Sequence, residues 1–179
     1  MGNYGKTDIG ASTDALAADT EVAACLGYNL FGDTIARTAY FYLSLVSGYD
    51  VKFALFSNSG SPALHVPDTL LGQTAAVTGT SGAKWYSADF LSPINISDGL
   101  LYWIGVINQT FGMTLNRDSV GSDYAYYEYA GSYGSGFSDP YPHASGTRHS
   151  FYFVSAYVVV DADLPDADVS GGANLMALL

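Results

Sequence analysis

The side chains able to do chemistry in this chain are scattered, and only tyrosine is concentrated. His143 and His149 lie six residues apart in PHASGTRHS, and His65 stands alone near Pro67. An imidazole pair can move a proton or hold a transition metal, but two ligands do not complete a coordination set. The three histidines are read as hydrogen-bonded loop or surface side chains. Serine is abundant, yet no G-x-S-x-G elbow is present to expose a nucleophile. Glycoside hydrolysis needs two carboxyl groups, one of them in an apolar surround. Glu128, among tyrosines, has the surround but no second acid beside it. Asp161, Asp163, Asp166 and Asp168 supply the hard oxygen ligands that Ca²⁺ takes. Their spacing does not match an EF-hand loop and its required glycine is missing, so a solvated acidic linker is expected. Cys25, between Ala24 and Leu26 with no basic neighbour, is read as a small core hydrophobe. No catalytic residue, metal site or cofactor is expected.

Six of the 15 tyrosines fall in SDYAYYEYAGSYGSGFSDPYP, residues 122–142. Tyr124, Tyr126, Tyr127, Tyr129, Tyr133 and Tyr141, with Phe137, sit on a backbone rich in Gly and Ser. Three uses are open. Tyrosine faces stack on sugar rings and the hydroxyl adds a polar tip. Tyrosine is enriched at protein interfaces. It can also roof the chain's own core. If residues 124–129 are extended, Tyr124 and Tyr126 share one face while Tyr127 and Tyr129 share the other.

The chain has 179 residues, enough for one domain that buries roughly 70% of its unfolded surface without disulfide or metal. With one cysteine, no intrachain disulfide can form. Six Lys and Arg against 17 Asp and Glu give a net charge of −11, which argues against a nucleic-acid partner. MGNYGKTDIGAS lacks a basic region and an apolar run, so it does not read as a signal peptide, and Lys6 stands where a myristoylation signal has Ser or Thr. No apolar run is long enough to span a bilayer as a helix. A cytoplasmic product that is not exported is expected, which leaves the sequons at Asn95 and Asn108 without meaning.

The elements that must position these residues are short apolar runs punctuated by Gly, Ser, Asn, Asp and Pro. Runs at 34–46, 50–57, 72–79, 84–90, 100–108, 112–117 and 149–160, with a weaker one at 21–30, predict about eight antiparallel strands. Segments 58–62, 78–82, 92–99 and 139–142 carry turn chemistry. Asp14 as an N-cap allows one short helix over 15–24, weakened by Asp19 and Thr20. The predicted core is Ala39, Phe41, Leu43, Leu45, Phe53, Leu55, Trp85, Phe90, Leu101, Trp103, Val106, Phe151, Phe153 and Tyr157. The reading is all-β, an antiparallel jelly-roll β-sandwich. It places an N-terminal arm at 1–20, the domain at 21–160, and an acidic linker with an apolar tail at 161–179. Leu175, Met176, Leu178 and Leu179 in that tail either fold back or dock on a neighbour.

The order of motifs then suggests a family. Phe53-Ala54-Leu55-Phe56-Ser57 leads into Ser59-Gly60-Ser61-Pro62, then Leu70-Leu71-Gly72, Trp85, Phe90, Ser92-Pro93-Ile94 with Ile96, Gly99, and Leu101-Tyr102-Trp103-Ile104-Gly105-Val106. Across roughly residues 34–157 this resembles a jelly-roll module of tailed-phage virion proteins that also recurs in bacterial and archaeal surface proteins. Phe56 stands where Tyr is usual, and Leu100 separates Gly99 from the Leu-Tyr-Trp run. The opening GNYGKTDIGASTDA also resembles phage-encoded examples. The resemblance implies a non-enzymatic virion protein, a capsid decoration or head-fibre module, assembled in a host cytoplasm. It also implies self-association, with a trimer favoured, and docking on a major capsid or other virion protein. The tyrosine-rich segment and the apolar tail are the expected contacts. A carbohydrate-binding module that adsorbs to a surface glycan is the alternative.

Overall fold

Alternation of apolar and polar residues builds two antiparallel sheets of seven strands each, packed as a β-sandwich. The computed structural model describes residues 1–60, 65–119, 124–150 and 152–161. In chain order the strands are β1 (Gly2–Gly5), β2 (Ser12–Leu16), β3 (Thr20–Tyr28), β4 (Thr34–Leu45), β5 (Asp50–Ser59), β6 (Val66–Gln73) and β7 (Val77–Thr78). They continue with β8 (Gly82–Ile96), β9 (Leu101–Asn108), β10 (Met113–Ser119), β11 (Ala125–Ala130), β12 (Thr147–Ser150), β13 (Tyr152–Val154) and β14 (Ala156–Asp161). The first sheet runs β1-β14-β4-β10-β13, with β8 along the other edge of β4 and β2 beside β10. The second runs β12-β11-β3-β9-β5-β6, with β7 beside β5. Among the described residues no helix is long and apolar enough to cross a membrane.

The space between the sheets is filled by period-two faces. Ala39, Phe41 and Leu43 from β4 and Ala156, Val158 and Val160 from β14 meet Val22 and Ala24 from β3, Phe53 and Leu55 from β5, and Ile104 and Val106 from β9. The second sheet is unusual in being apolar on its other face too. Ala23 and Cys25, Ala54 and Phe56, Trp103 and Ile107, and Tyr127 form a second cluster there. All eight residues of β9 are therefore buried. A strand covered on both faces reads as an unbroken apolar run rather than an alternating one. LYWIGVIN is such a run up to its last residue.

Several expectations are corrected. Fourteen strands are present among the described residues, against about eight expected. No helix forms over 15–24. Asp19 takes a left-handed conformation (φ 55°) that ends β2 and starts β3, and Val22, Ala24 and Leu26 face inward with strand period. Within residues 1–19, β1 and β2 are both paired within the first sheet. Tyr4 fixes β1, since its buried hydroxyl donates to the Gly27 carbonyl and accepts the Tyr102 N–H. Residues 92–96 continue β8 rather than forming a loop. Pro93 is tolerated because it sits where the β4–β8 register shifts, on a strand at the sheet's edge. The run 149–160 divides among β12, β13 and β14, and so between both sheets. Buried Ser155 separates the last two; its N–H donates to Asn116 O (2.8 Å) and its Oγ accepts the Gly10 N–H (2.8 Å). Trp85 and Tyr157, expected in the core, are half-buried on the outer face of the first sheet. Trp103 and Leu101 belong to the second cluster, and Phe151 lies outside the described residues.

Candidate functional site

The tyrosine-rich segment goes mainly onto its own chain. Tyr126 points into the space between the sheets, while Tyr127, Phe137 and Tyr141 are buried in the cluster on the second sheet's outer face. Tyr124, Tyr129 and Tyr133 are half-buried at the margin of that cluster. Tyr124 does not share the inward face of Tyr126; it stacks on Phe153, with ring centroids 4.1 Å apart. Residues 131–146 thus form a strap across the second sheet. At one end the Gly131 N–H donates to Asp19 O (2.8 Å) and the Tyr133 N–H to Asp19 Oδ1 (2.9 Å). At the other, the Tyr141 N–H donates to Asp68 O (2.8 Å) and the Leu70 N–H to Asp139 Oδ1 (3.1 Å). Lys52 Nζ lies 4.5 Å above the Tyr133 ring, and the Tyr141 hydroxyl is 3.1 Å from the carbonyls of Glu21 and Tyr127. Gly131 lets the backbone lie this close to Glu21, and Gly136 takes a left-handed φ of 82°.

The first sheet has no such strap among the described residues, and its outer face carries an aromatic row. Tyr42 and Trp85 are directly cross-strand on β4 and β8, and Tyr40 and Tyr157 on β4 and β14. Tyr40 and Tyr157 stack at 4.6 Å with ring planes 5° apart. Trp85 meets Tyr157 edge-on at 5.2 Å and Tyr42 at 5.5 Å. All four are half-buried. Polar pairs flank them: Thr38 Oγ1 donates to Asp89 Oδ1 (2.6 Å), and Arg37 contacts Asp161 (2.5 Å). Tyr40 and Tyr157 cover one another's faces, and Trp85 meets its two neighbours edge-on. A sugar seeks a free ring face, whereas a protein surface is met as well by edges and hydroxyls.

A third cluster joins the sheets at one side. Arg117 holds Asp14 through Nε and, at 2.8 Å, through Nη2, and the Tyr126 hydroxyl donates to the same carboxylate. Arg117 also lies 3.6 Å over the Tyr152 ring. His149 stacks on Tyr126 at 4.3 Å, and its Nε2 is 3.3 Å from Glu128. The Arg117 hydrogen bond holds the Asp14 carboxyl below its usual range, and burial drives the Tyr126 hydroxyl up. Glu128 thus has a histidine partner rather than a second carboxyl. The network has the bidentate geometry of a structural clamp between β2, β10 and β11. His65 bridges Asn58 and Tyr28 in a separate hydrogen-bond chain that ends on the Trp103 indole.

Among the described residues no three potential metal ligands are gathered. Asp161 pairs with Arg37, while Asp163, Asp166 and Asp168 lie outside the described residues. So do Leu175, Met176, Leu178 and Leu179 of the predicted docking tail. The aromatic row was missed because its members come from three distant stretches. The signal available was the alternation Tyr40, Tyr42 against Ala39, Phe41, Leu43, which marks a second face that is itself aromatic. No protein-family model matches the chain, and no curated protein matches it.

Proposed function

We propose that the chain is a non-enzymatic structural protein of a virion, a jelly-roll module of the capsid-decoration or head-fibre kind, that associates with copies of itself through the outer face of its first sheet. The observation that carries the docking half of this reading is the open row of Tyr40, Tyr42, Trp85 and Tyr157. Tyr and Trp dominate the energetically important centres of protein interfaces, and here the row is rimmed by paired polar groups. The virion half rests on the motif order in the sequence alone, and the structure adds only that these motifs fall on strands of one sandwich. Residues 53–57 lie on β5, 70–72 on β6, 85–96 on β8 and 101–106 on β9, all within the sandwich.

The test is solution mass by light scattering over a range of concentrations, on the full chain and on W85A/Y40A. A trimer or larger assembly is expected from the wild type. Removing two central rings costs about 2 kcal/mol or more each, so the variant should be monomeric with an unchanged far-UV spectrum. A wild type that stays monomeric overturns self-association. If that monomer is also retained on a polysaccharide column through Trp85, the carbohydrate-binding alternative replaces this reading.

A further inference from the structure

Glu21 lies beneath the strap with no accessible surface. On β3 it pairs with Tyr129 of β11 and Ile107 of β9, and it faces the outer cluster. Its carboxylate accepts one backbone N–H, that of Ser138, at 3.1 and 3.3 Å to its two oxygens. Gly131 packs against it from above; a methyl group there would be 3.4 Å from Glu21 Oε2.

The surrounding groups supply little compensation for a negative charge. Asp19 sits on the preceding turn and Asp139 on the strap, both acidic. Tyr133 and Tyr141 of the strap and Tyr129 of β11 are phenols, and Glu128 is on the sheet's other face beside His149. On β5, Asp50 is a further acid. Lys52 is opposite Ile107 and so two strands away, where it caps the Tyr133 ring, Arg148 of β12 is opposite Tyr127 and interacts with its hydroxyl, and His143 lies within the strap beyond Tyr141. Asp68 of β6 meets the strap through its backbone carbonyl, at Tyr141. A fully buried carboxylate whose hydrogen bonds come from one residue, Ser138, through its N–H and its side chain, with no cation beside it, is more stable neutral.

We propose that Glu21 is a proton-operated latch: protonated, it lets residues 131–141 lie closed over the second sheet, and as its proton is lost the strap opens toward solvent and uncovers Tyr127, Trp103 and Phe56. Burial raises the Glu21 pKa from its ordinary 4.5 to about 7. In the open strap the carboxyl meets water and returns toward its ordinary value. Below that value both forms are protonated and the closed strap has its full stability. Between the two values opening releases a proton, so the opening constant rises about tenfold per pH unit. Above the higher value both forms are ionised and the constant levels off, about 300-fold above its acid value. The latch is independent of association through the first sheet.

The test is hydrogen exchange followed residue by residue from pH 4 to pH 8, each rate divided into the intrinsic rate at that pH. Protection at the Gly131, Tyr133, Ser138 and Tyr141 amides should fall by up to about 300-fold across that range in the wild type. Amides of β4 in the first sheet should not follow. In E21Q, which keeps an acceptor but cannot ionise, the four protection factors should stay flat. Wild-type protection that is independent of pH, or that falls equally at β4, overturns the latch, as does an E21Q profile that follows the wild type. The wild-type comparison decides the matter by itself if E21Q fails to fold.

Discussion

Asp14 shows how much one side chain can hold when three strands converge on it. It takes two hydrogen bonds from Arg117 and one from Tyr126, so β2, β10 and β11 are joined at one carboxylate. Hydrogen bonds to a charged group are each worth about 1.5–3 kcal/mol. Asp14→Ala should therefore lower unfolding stability by about 2–4 kcal/mol at pH 7, read from urea denaturation. The Asp14 carboxyl is held below its usual range, so its contribution is complete above the unfolded-state pKa and is lost as pH falls through the folded value. The gap between wild type and D14N should accordingly narrow in acid. None of this was visible in the sequence, where Asp14 reads as a helix N-cap and the partners are over 100 positions away. The isolated carboxylate Glu128 was legible as such, but His149 was not legible as its partner.

At the scale of elements, β9 was read correctly as a strand, but its double burial was not foreseen. The apolar run says that both faces are covered without saying by what. The cover is the strap, whose composition suits a roof, an interface or a sugar platform equally well. Gly105 marks the contact most sharply. A methyl group there would lie 2.7 Å from Phe56 and 3.2 Å from Phe137. Gly105→Ala should cost about 1–3 kcal/mol, seen as a fall in Tm of roughly 2–10 °C. Phe56→Ala, which empties the site under Phe137 and Tyr141, should cost about 3–5 kcal/mol in a denaturant titration. The strands on 34–45, 50–59 and 101–108 were legible because strict alternation or long apolar runs left no other choice. β1 and β2 were not. Their sequences, GNYG and STDAL, gain their strand character only from partners in β14 and β10.

For the whole molecule, the two outer faces differ. One is closed by its own chain and the other presents rings. A net charge of −11 repels copies of the molecule from one another at long range. Association through the aromatic row should therefore strengthen as salt rises from about 20 to 300 mM, where screening shortens the reach of that repulsion to a few ångströms. Light scattering at fixed protein concentration would show the average mass increasing. An interface built on surface ion pairs would respond in the opposite sense. The strap has a further effect at the margin of the second sheet. It engages the Leu70 N–H and the Asp68 carbonyl of β6, groups that a foreign strand would otherwise pair with. In the first sheet, Pro93 interrupts β8 at its register shift. Both margins are interrupted at these points. Association through the outer face of the first sheet, as proposed, would be face to face, which favours small closed assemblies over fibres that grow without limit.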